Sequence, residues 1–287
     1  MDQGEGETSR KPVIALLTDF GISDGYVGAM KGVILGIAPR VSFVDIAHGI
    51  SRQDVWEGAY VLASVAPYFP RGTIFLCVVD PGVGTERKII LMETGAGHYF
   101  VGPDNGLLSL IGAREGVERL VEVANPQYML EEISQTFQGR DVMAPAAAYL
   151  AKGVNPSEFG PELTEYVRFE FNEPTVKDDV IRGEVIHVDG FGNLITNISE
   201  DLLRRLGVSE GSQLKLSMGS FDGPIDFCKA YADVDVGSLL AIVGSAGLLE
   251  ISVNRGSAAR RLKSKAGMRV EIRKPRGNVK KGCGVNP

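Results

Sequence analysis

Two strand-to-helix units follow one another at the start of the chain, and they restrict the fold more tightly than any other feature. The run "VIALLTDF" (13–20) has the unbroken apolar character of a buried strand, and "YVGAMKGVILGIA" after it carries apolar residues at helical spacing as far as Pro39. "VSFVDIA" (41–47) reads as a second strand, "DVWEGAYVLASVAPYF" (54–69) as a second helix with Asp54 at its N-cap, and "GTIFLCVVD" (72–80) as a third strand. Strands alternating with helices of these lengths predict a mostly parallel sheet with helices on its faces. In such a sheet ligands sit beyond the carboxyl ends of the strands, which is where Asp19, Asp45 and Asp80 are expected.

"KIILMET" and "HYFVGPD" continue as consecutive strands, and "NGLLSLIGARE" returns to helix. The texture changes after the helical "APAAAYLAKG" (144–153): "EFNEPTVKDD" (170–179) is polar, acidic and Pro-containing, as a linker would be. From 181 onward the segments are short, alternating and Gly-punctuated, which reads as a smaller all-β barrel or sandwich. The expected organisation is a mobile tail over 1–10, an α/β domain over 11–169, a linker over 170–180, a β domain over 181–274 and a second tail over 275–287.

With 287 residues, 44% of them hydrophobic, the chain has ample material for a real core. Thirty Lys and Arg against 36 Asp and Glu leave a net charge of -6, with no basic stripe, so nucleic acid is not an expected partner. No apolar run approaches the ~20 residues of a membrane span, and "MDQGEGETSR" lacks the pattern of a signal peptide. Cys77, Cys228 and Cys283 form no CxxC pair and no even disulfide framework, so a reducing cytoplasm is expected.

The stretch "VVDPGVGTERK" (78–88) ends an apolar run on Asp80, turns through Pro81, Gly82 and Gly84, and reaches Arg87. Its spacing fits neither a P-loop nor a dinucleotide fingerprint. Three readings stay open for Asp80: a carboxylate aimed at a substrate, a magnesium set with Asp19 and Asp24, or a surface ion pair with Arg87. Asp19 is suited to accept both hydroxyls of a ribose, or to cap a turn. "VDGFGNLITN" (188–197) places Phe191 and Asn193 between glycines, offering an aromatic face and an amide for a purine, or an aromatic corner of a barrel. His48, His98 and His187 share no ligand spacing and read as structural or solvated.

"LLTDFGISDGYVGAMKG", "DIAHGISRQDVWEGAY", "VVDPGVGTERK", "GPDNGLL", "TFQGRDVMAPAAA", "VDGFGNLITNI" and "GSAGLLEISVNRGSA" together closely resemble the S-adenosyl-L-methionine (SAM) hydroxide adenosyltransferase family. These are the hydrolytic relatives of the fluorinating and chlorinating SAM enzymes. The resemblance runs from about residue 12 to residue 273 and implies an α/β N-terminal domain, a β-barrel C-terminal domain, and cleavage of SAM by water into adenosine and L-methionine. SAM is then a substrate and no cofactor or metal is implied. The resemblance also implies a homotrimer, or a multiple of it, with sites where one subunit's N-terminal domain meets a neighbour's C-terminal domain.

By position, the resemblance gives the ribose diol to Asp19, the adenine edge to Asn193 and the backbone near Arg255, and the face of the base to Phe191. It gives the methionine amino and carboxylate ends to Asp189 and Ser245, and sets Asp24, Tyr26, Phe137, Tyr231, Glu250 and Asn254 around the substrate. Asp80 and Arg87 match two members of an Asp-Arg-His set around the attacking water, while Gln138 in "QGRD" stands where the hydrolases carry histidine. A carboxylate at position 80 would repel a halide, which favours water over halogenation. A SAM- or adenosine-binding protein with little turnover is the other alternative, kept open by Gln138.

Overall fold

The computed structural model describes residues 11–169 and 172–274. The expected tails at 1–10 and 275–287, with linker residues 170 and 171, lie outside the described residues. Contacts divide the chain into two units between Phe169 and Glu170.

In the first unit, β1 (Val13–Thr18), β2 (Ser42–Ala47), β3 (Ile74–Val78), β4 (Ile89–Thr94), β5 (Tyr99–Pro103) and β6 (Val117–Glu122) form one sheet in the order β2-β1-β3-β5-β4-β6. The pairs β1/β2, β1/β3 and β3/β5 are parallel, and β4 runs against both of its neighbours. Because side chains alternate along a strand, β1 feeds two cores. Ile14 and Leu16 join Met30 and Ile34 of α1 (Tyr26–Ile37) and the alanines of α4 (Ala144–Ala151) on one face. Ala15 and Leu17 join Leu62 of α2 (Val55–Val65) and Ile111 of α3 (Ser109–Glu115) on the other. Asp54 caps α2 as its position suggests, its carboxylate accepting the Glu57 N–H at 2.9 Å. No helix among the described residues is long and apolar enough to cross a membrane.

The second unit holds β7 (Thr175–Lys177), β8 (Val180–Val188), β9 (Leu194–Ser199), β10 (Gln213–Met218), β11 (Phe221–Cys228), β12 (Leu239–Val243), β13 (Leu248–Val253) and β14 (Arg269–Arg273). Strand β14 pairs with both β10 and β8, so β8-β14-β10-β11-β12-β13-β9 close into a seven-stranded barrel, with β7 as an added strand on β8. Leu214, Leu216, Ile225, Ile251 and Ile272 fill its interior. Two short helices were not anticipated by the all-β reading: α5 (Glu200–Arg205), capped by Ser199, and α6 (Ala258–Leu262), capped by Ser257. Five or six residues are too few to show a helical period, which is why only their caps mark them.

Candidate active site

The sheet order gives the first unit a built-in crevice. From β1 the chain crosses to β2 on one side and then to β3 on the other, and α1 and α2 pack on opposite faces. The carboxyl ends of β1 and β3 are therefore the topological switch point, the usual place for a ligand in a doubly wound sheet. Asp19 follows β1 directly, and Asp80 lies two residues beyond the end of β3. Asp45 is different: it lies within β2 and faces Lys31, its Oδ2 2.7 Å from Nζ. Partial burial works against the Asp45 charge, but the hydrogen bond from Lys31, with the His48 ring close by, outweighs it and holds the carboxyl below the usual range.

A cavity of about 210 Å³ occupies the crevice, lined by Asp19, Phe20, Asp24, Tyr26, Arg52, Gln53, Val78, Asp80, Val83, Thr136, Phe137, Gln138 and Gly139. Six of the residues singled out from the sequence thus meet here, and Arg87 reaches it through Asp80. Arg87 Nε lies 3.0 and 3.1 Å from the two Asp80 oxygens and Nη2 lies 2.5 Å from Oδ2. These side chains are only 10% and 6% exposed, so the pair is not a solvated surface ion pair. Arg87 Nη2 also donates to Gln138 Oε1 at 2.5 Å. A guanidinium can only donate, so Gln138 must turn its carbonyl oxygen to Arg87, which leaves its NH2 as the amide group free for the cavity.

Backbone geometry makes this meeting possible. Gly84 has φ +80°, and a Cβ there would lie 2.7 Å from the Gln135 carbonyl oxygen, so only glycine lets the 81–84 turn approach the 135–138 segment. That segment enters a π-helical turn over Gly139–Met143, whose buried Asp141 accepts the Ser134 N–H at 2.9 Å and pairs with Arg140 at 2.6 Å. Phe137 packs with Phe20 and Tyr26 at ring-centroid distances of 5.9 and 5.2 Å, forming an aromatic wall. Asp19, Asp24 and Asp80 share the cavity, yet among the described residues no group of three or more His, Cys, Asp or Glu is placed to hold a metal ion.

Two contributions go beyond the sequence reading, which took His48 as structural or solvated without naming its partners. His48 holds the loop that carries Asp19: its Nδ1 is 2.9 Å from Thr18 Oγ1, and its carbonyl accepts the Gly21 N–H at 2.7 Å. Asp45 Oδ1 lies 3.0 Å from His48 Nε2, too oblique for a full hydrogen bond. The Thr-His-Asp grouping has the membership of a hydrolytic triad, but Thr18 is fully buried and has no access to a substrate. The second is the turn after β2. Gln53 adopts φ +65° and gives its N–H to Asp19 Oδ2 at 2.8 Å, fixing the carboxylate from the opposite rim. The only available signal was that loops at the carboxyl ends of neighbouring strands share one rim.

In the second unit, Asp189 builds a tight loop. Its Oδ1 accepts the N–H groups of Phe191 and Asn193 at 2.9 and 2.8 Å, and its Oδ2 accepts Asn193 Nδ2 at 2.8 Å. Gly192 at φ +84° packs so closely on Ser257 that any Cβ would collide with its hydroxyl. The loop leaves Phe191 81% exposed. Tyr231 Oη donates to Glu250 Oε2 at 3.1 Å. Burial, reinforced by Glu250, pushes the Tyr231 hydroxyl up to about 12, and burial with Asp189 nearby raises the Glu250 carboxyl above its usual range. Ser245 is exposed in the β12–β13 turn beside Gly244, against which the Glu250 carboxylate rests. Asn254 is buried and spends its Nδ2 on the Val234 carbonyl at 2.7 Å, while Arg255 takes a left-handed φ of +54°.

A doubly wound sheet with a sealed, guanidinium-held carboxylate at its switch point, followed by a separate closed barrel, defines a two-domain enzyme acting on a small molecule. The chain belongs to the SAM hydroxide adenosyltransferase family: the family's N-terminal domain matches residues 14–160 and its C-terminal domain residues 183–271. An (R)-S-adenosyl-L-methionine hydrolase from Salinispora arenicola is 39% identical over 251 residues, covering 86% of this chain and 92% of the relative. A fluorinase from Nocardia brasiliensis is 32% identical over 295 residues, covering 92% and 97%. The crystal structure of an uncharacterized conserved protein from Thermotoga maritima superposes with a TM-score of 0.88 at 40% identity, covering 91% of this chain and all of that one.

Proposed function

We propose that the protein hydrolyses SAM to adenosine and L-methionine by in-line attack of water on the ribose C5′. The observation that carries this reading is the sealed Asp80–Arg87 pair with Gln138 on the same guanidinium nitrogen. A sulfonium leaves as neutral methionine thioether, so no acid is needed at the leaving group. Only the nucleophile needs help. Arg87 locks the Asp80 carboxylate, which accepts one proton of the water, and the Gln138 NH2 donates to a water lone pair, leaving the other to meet C5′. Since that NH2 cannot take a proton, Asp80 is the sole base at this position. A halide would be repelled by the same carboxylate, so water is the nucleophile that the site accommodates.

Around this centre Asp19 holds the ribose diol, and Asp24, Tyr26 and Phe137 wall the sugar and sulfonium. On the barrel, exposed Phe191 stacks on adenine with Asn193 and the backbone near Arg255 at its edge, and Asp189, Tyr231, Ser245, Glu250 and Asn254 form the methionine side. A cavity of about 210 Å³ falls short of the ~300–1,000 Å³ of complete small-molecule sites. That shortfall supports sites completed by a neighbouring subunit, in a homotrimer or a multiple of one. In this reading the domains are 11–169 and 181–274, the protein works in the cytoplasm, and no metal or cofactor takes part.

Incubation of the purified protein with SAM in 18O-labelled water tests the reading. Adenosine and methionine should form in equal amounts without added metal, with the label on the adenosine 5′ oxygen. Label in another product, turnover abolished by chelator and restored by magnesium, or a 5′-halo-adenosine product would each overturn it.

A further inference from the structure

We infer that Arg52 is the anchor for the α-carboxylate of the substrate's methionine portion, an inference that rests on the SAM hydrolase reading. Charge counting at the cavity leads to it. Three carboxylates line the wall, Asp19, Asp24 and Asp80, and among the described lining residues the one cationic side chain is Arg52. Arg87 behind the wall is already committed to Asp80 and Gln138. Arg52 makes no hydrogen bond or ion pair with any described residue, although three acids share its cavity, so its guanidinium is unspent. SAM carries two cationic groups, the sulfonium and the α-ammonium, and a single anionic one. Acids suit the first two, and the remaining cation suits the third.

The backbone around Arg52 is fixed in a way that an ordinary surface arginine does not require. Ser51 N–H is held by Glu57 Oε2 at 2.9 Å, Gln53 N–H by Asp19 Oδ2 at 2.8 Å, and Asp54 N–H by the Ser51 carbonyl at 3.0 Å. Gln53 accepts a left-handed φ of +65°, a conformation that a non-glycine residue adopts only when its surroundings impose it. The strained turn thus ties Arg52 to the carboxylate that grips the ribose. A guanidinium presents two parallel N–H donors that match a carboxylate's two oxygens, which a lysine in its place would not. The Ser245 hydroxyl expected at the same substrate group is neutral and leaves the charge unmatched.

The experiment compares SAM with decarboxylated SAM, which lacks only the group in question, on full-length wild type, Arg52→Ala and Arg52→Lys. In Arg52→Ala the KM for SAM should rise about ten- to a hundredfold, as for loss of a charged hydrogen-bonded contact, with kcat little changed. The inhibition constant of decarboxylated SAM should stay within about twofold, and Arg52→Lys should recover part of the loss. An equal weakening of both ligands would show that Arg52 supports the turn or Asp19 instead, and an unchanged KM for SAM would remove it from the site. A wild type that consumes no SAM defeats the hydrolase reading separately, and the ratio of equilibrium affinities for the two ligands then decides the Arg52 assignment.

Discussion

Replacing Asp80 with Asn keeps the outline of the side chain and deletes its charge, which separates two jobs that one carboxylate performs. The first is to neutralise Arg87, and both side chains are nearly sealed. Orphaning a buried charge costs about 3–5 kcal/mol, and since Asn keeps one acceptor oxygen the lower end, ~3 kcal/mol, is expected. In a unit of this size that is a Tm fall of roughly 6–12 °C, at ~2–4 °C per kcal/mol. The second job, under the proposed mechanism, is to accept the proton of the water. Its loss should cost ~10²–10⁴ in kcat, equivalent to ~2.7–5.4 kcal/mol of barrier at ~1.36 kcal/mol per tenfold. The double variant Asp80→Asn/Arg87→Leu distinguishes the two, because it removes the orphaned cation as well. Calorimetry should show most of the lost Tm restored, while chromatography of adenosine still reads a turnover at least ~10²-fold below wild type. Turnover that returns together with stability would refute the base assignment, since Asp80 would then serve only to neutralise Arg87.

Gln138→His should introduce an inflection near pH ~6.5 in the rate profile and change the rate by no more than about tenfold, or ~1.4 kcal/mol. A gain of several orders of magnitude would mean that the natural protein is a weakly active binder. Glu250→Gln should raise Tm at pH 7: a carboxyl whose folded pKa lies above its unfolded value costs the fold stability once pH exceeds both, and nothing below both. The gain should vanish on acidification below pH ~4.3, where an unperturbed glutamate titrates, and a gain independent of pH would deny the cause. Mixing Asp80→Asn with Asn193→Ala subunits under exchange conditions should regain some activity if sites are shared between subunits, and light scattering should give a trimer or a multiple. A fully active monomer would contradict both.

Much of the fold was legible because its signals are local. The uninterrupted apolar run of β1 and the helical spacing of α1 suffice for the α/β unit, and the strand-end rule then selects Asp19 and Asp80. Asp45 shows the limit of that rule, since a carboxylate inside an edge strand can turn to a neighbouring lysine instead. Partnerships at long range were not readable: Thr18 with His48, Asp19 with Gln53, Arg87 with Gln138 and Tyr231 with Glu250 depend on where loops return in space. Nothing in "HGISRQD" announces a left-handed residue at Gln53, because turn chemistry ordinarily assigns that conformation to glycine or asparagine. The role of Asp189 in tying its own loop was likewise hidden, although an Asp two residues before a turn is a known local signal.

Closure of the barrel sets an order of events during synthesis. Strand β8 pairs with β14 through Ile181 and Ile272, so one of the first strands of the second unit waits for its last. At ~5–20 residues per second, the roughly 90 residues between them take about 5–20 s to emerge, whereas the α/β sheet is complete long before. Until then β8 presents an open edge, the kind of surface on which nascent chains of one message pair with each other. A stop codon before β14 would make that interval permanent, leaving β8 and β10 each with an unsatisfied side and the truncated chain prone to aggregation.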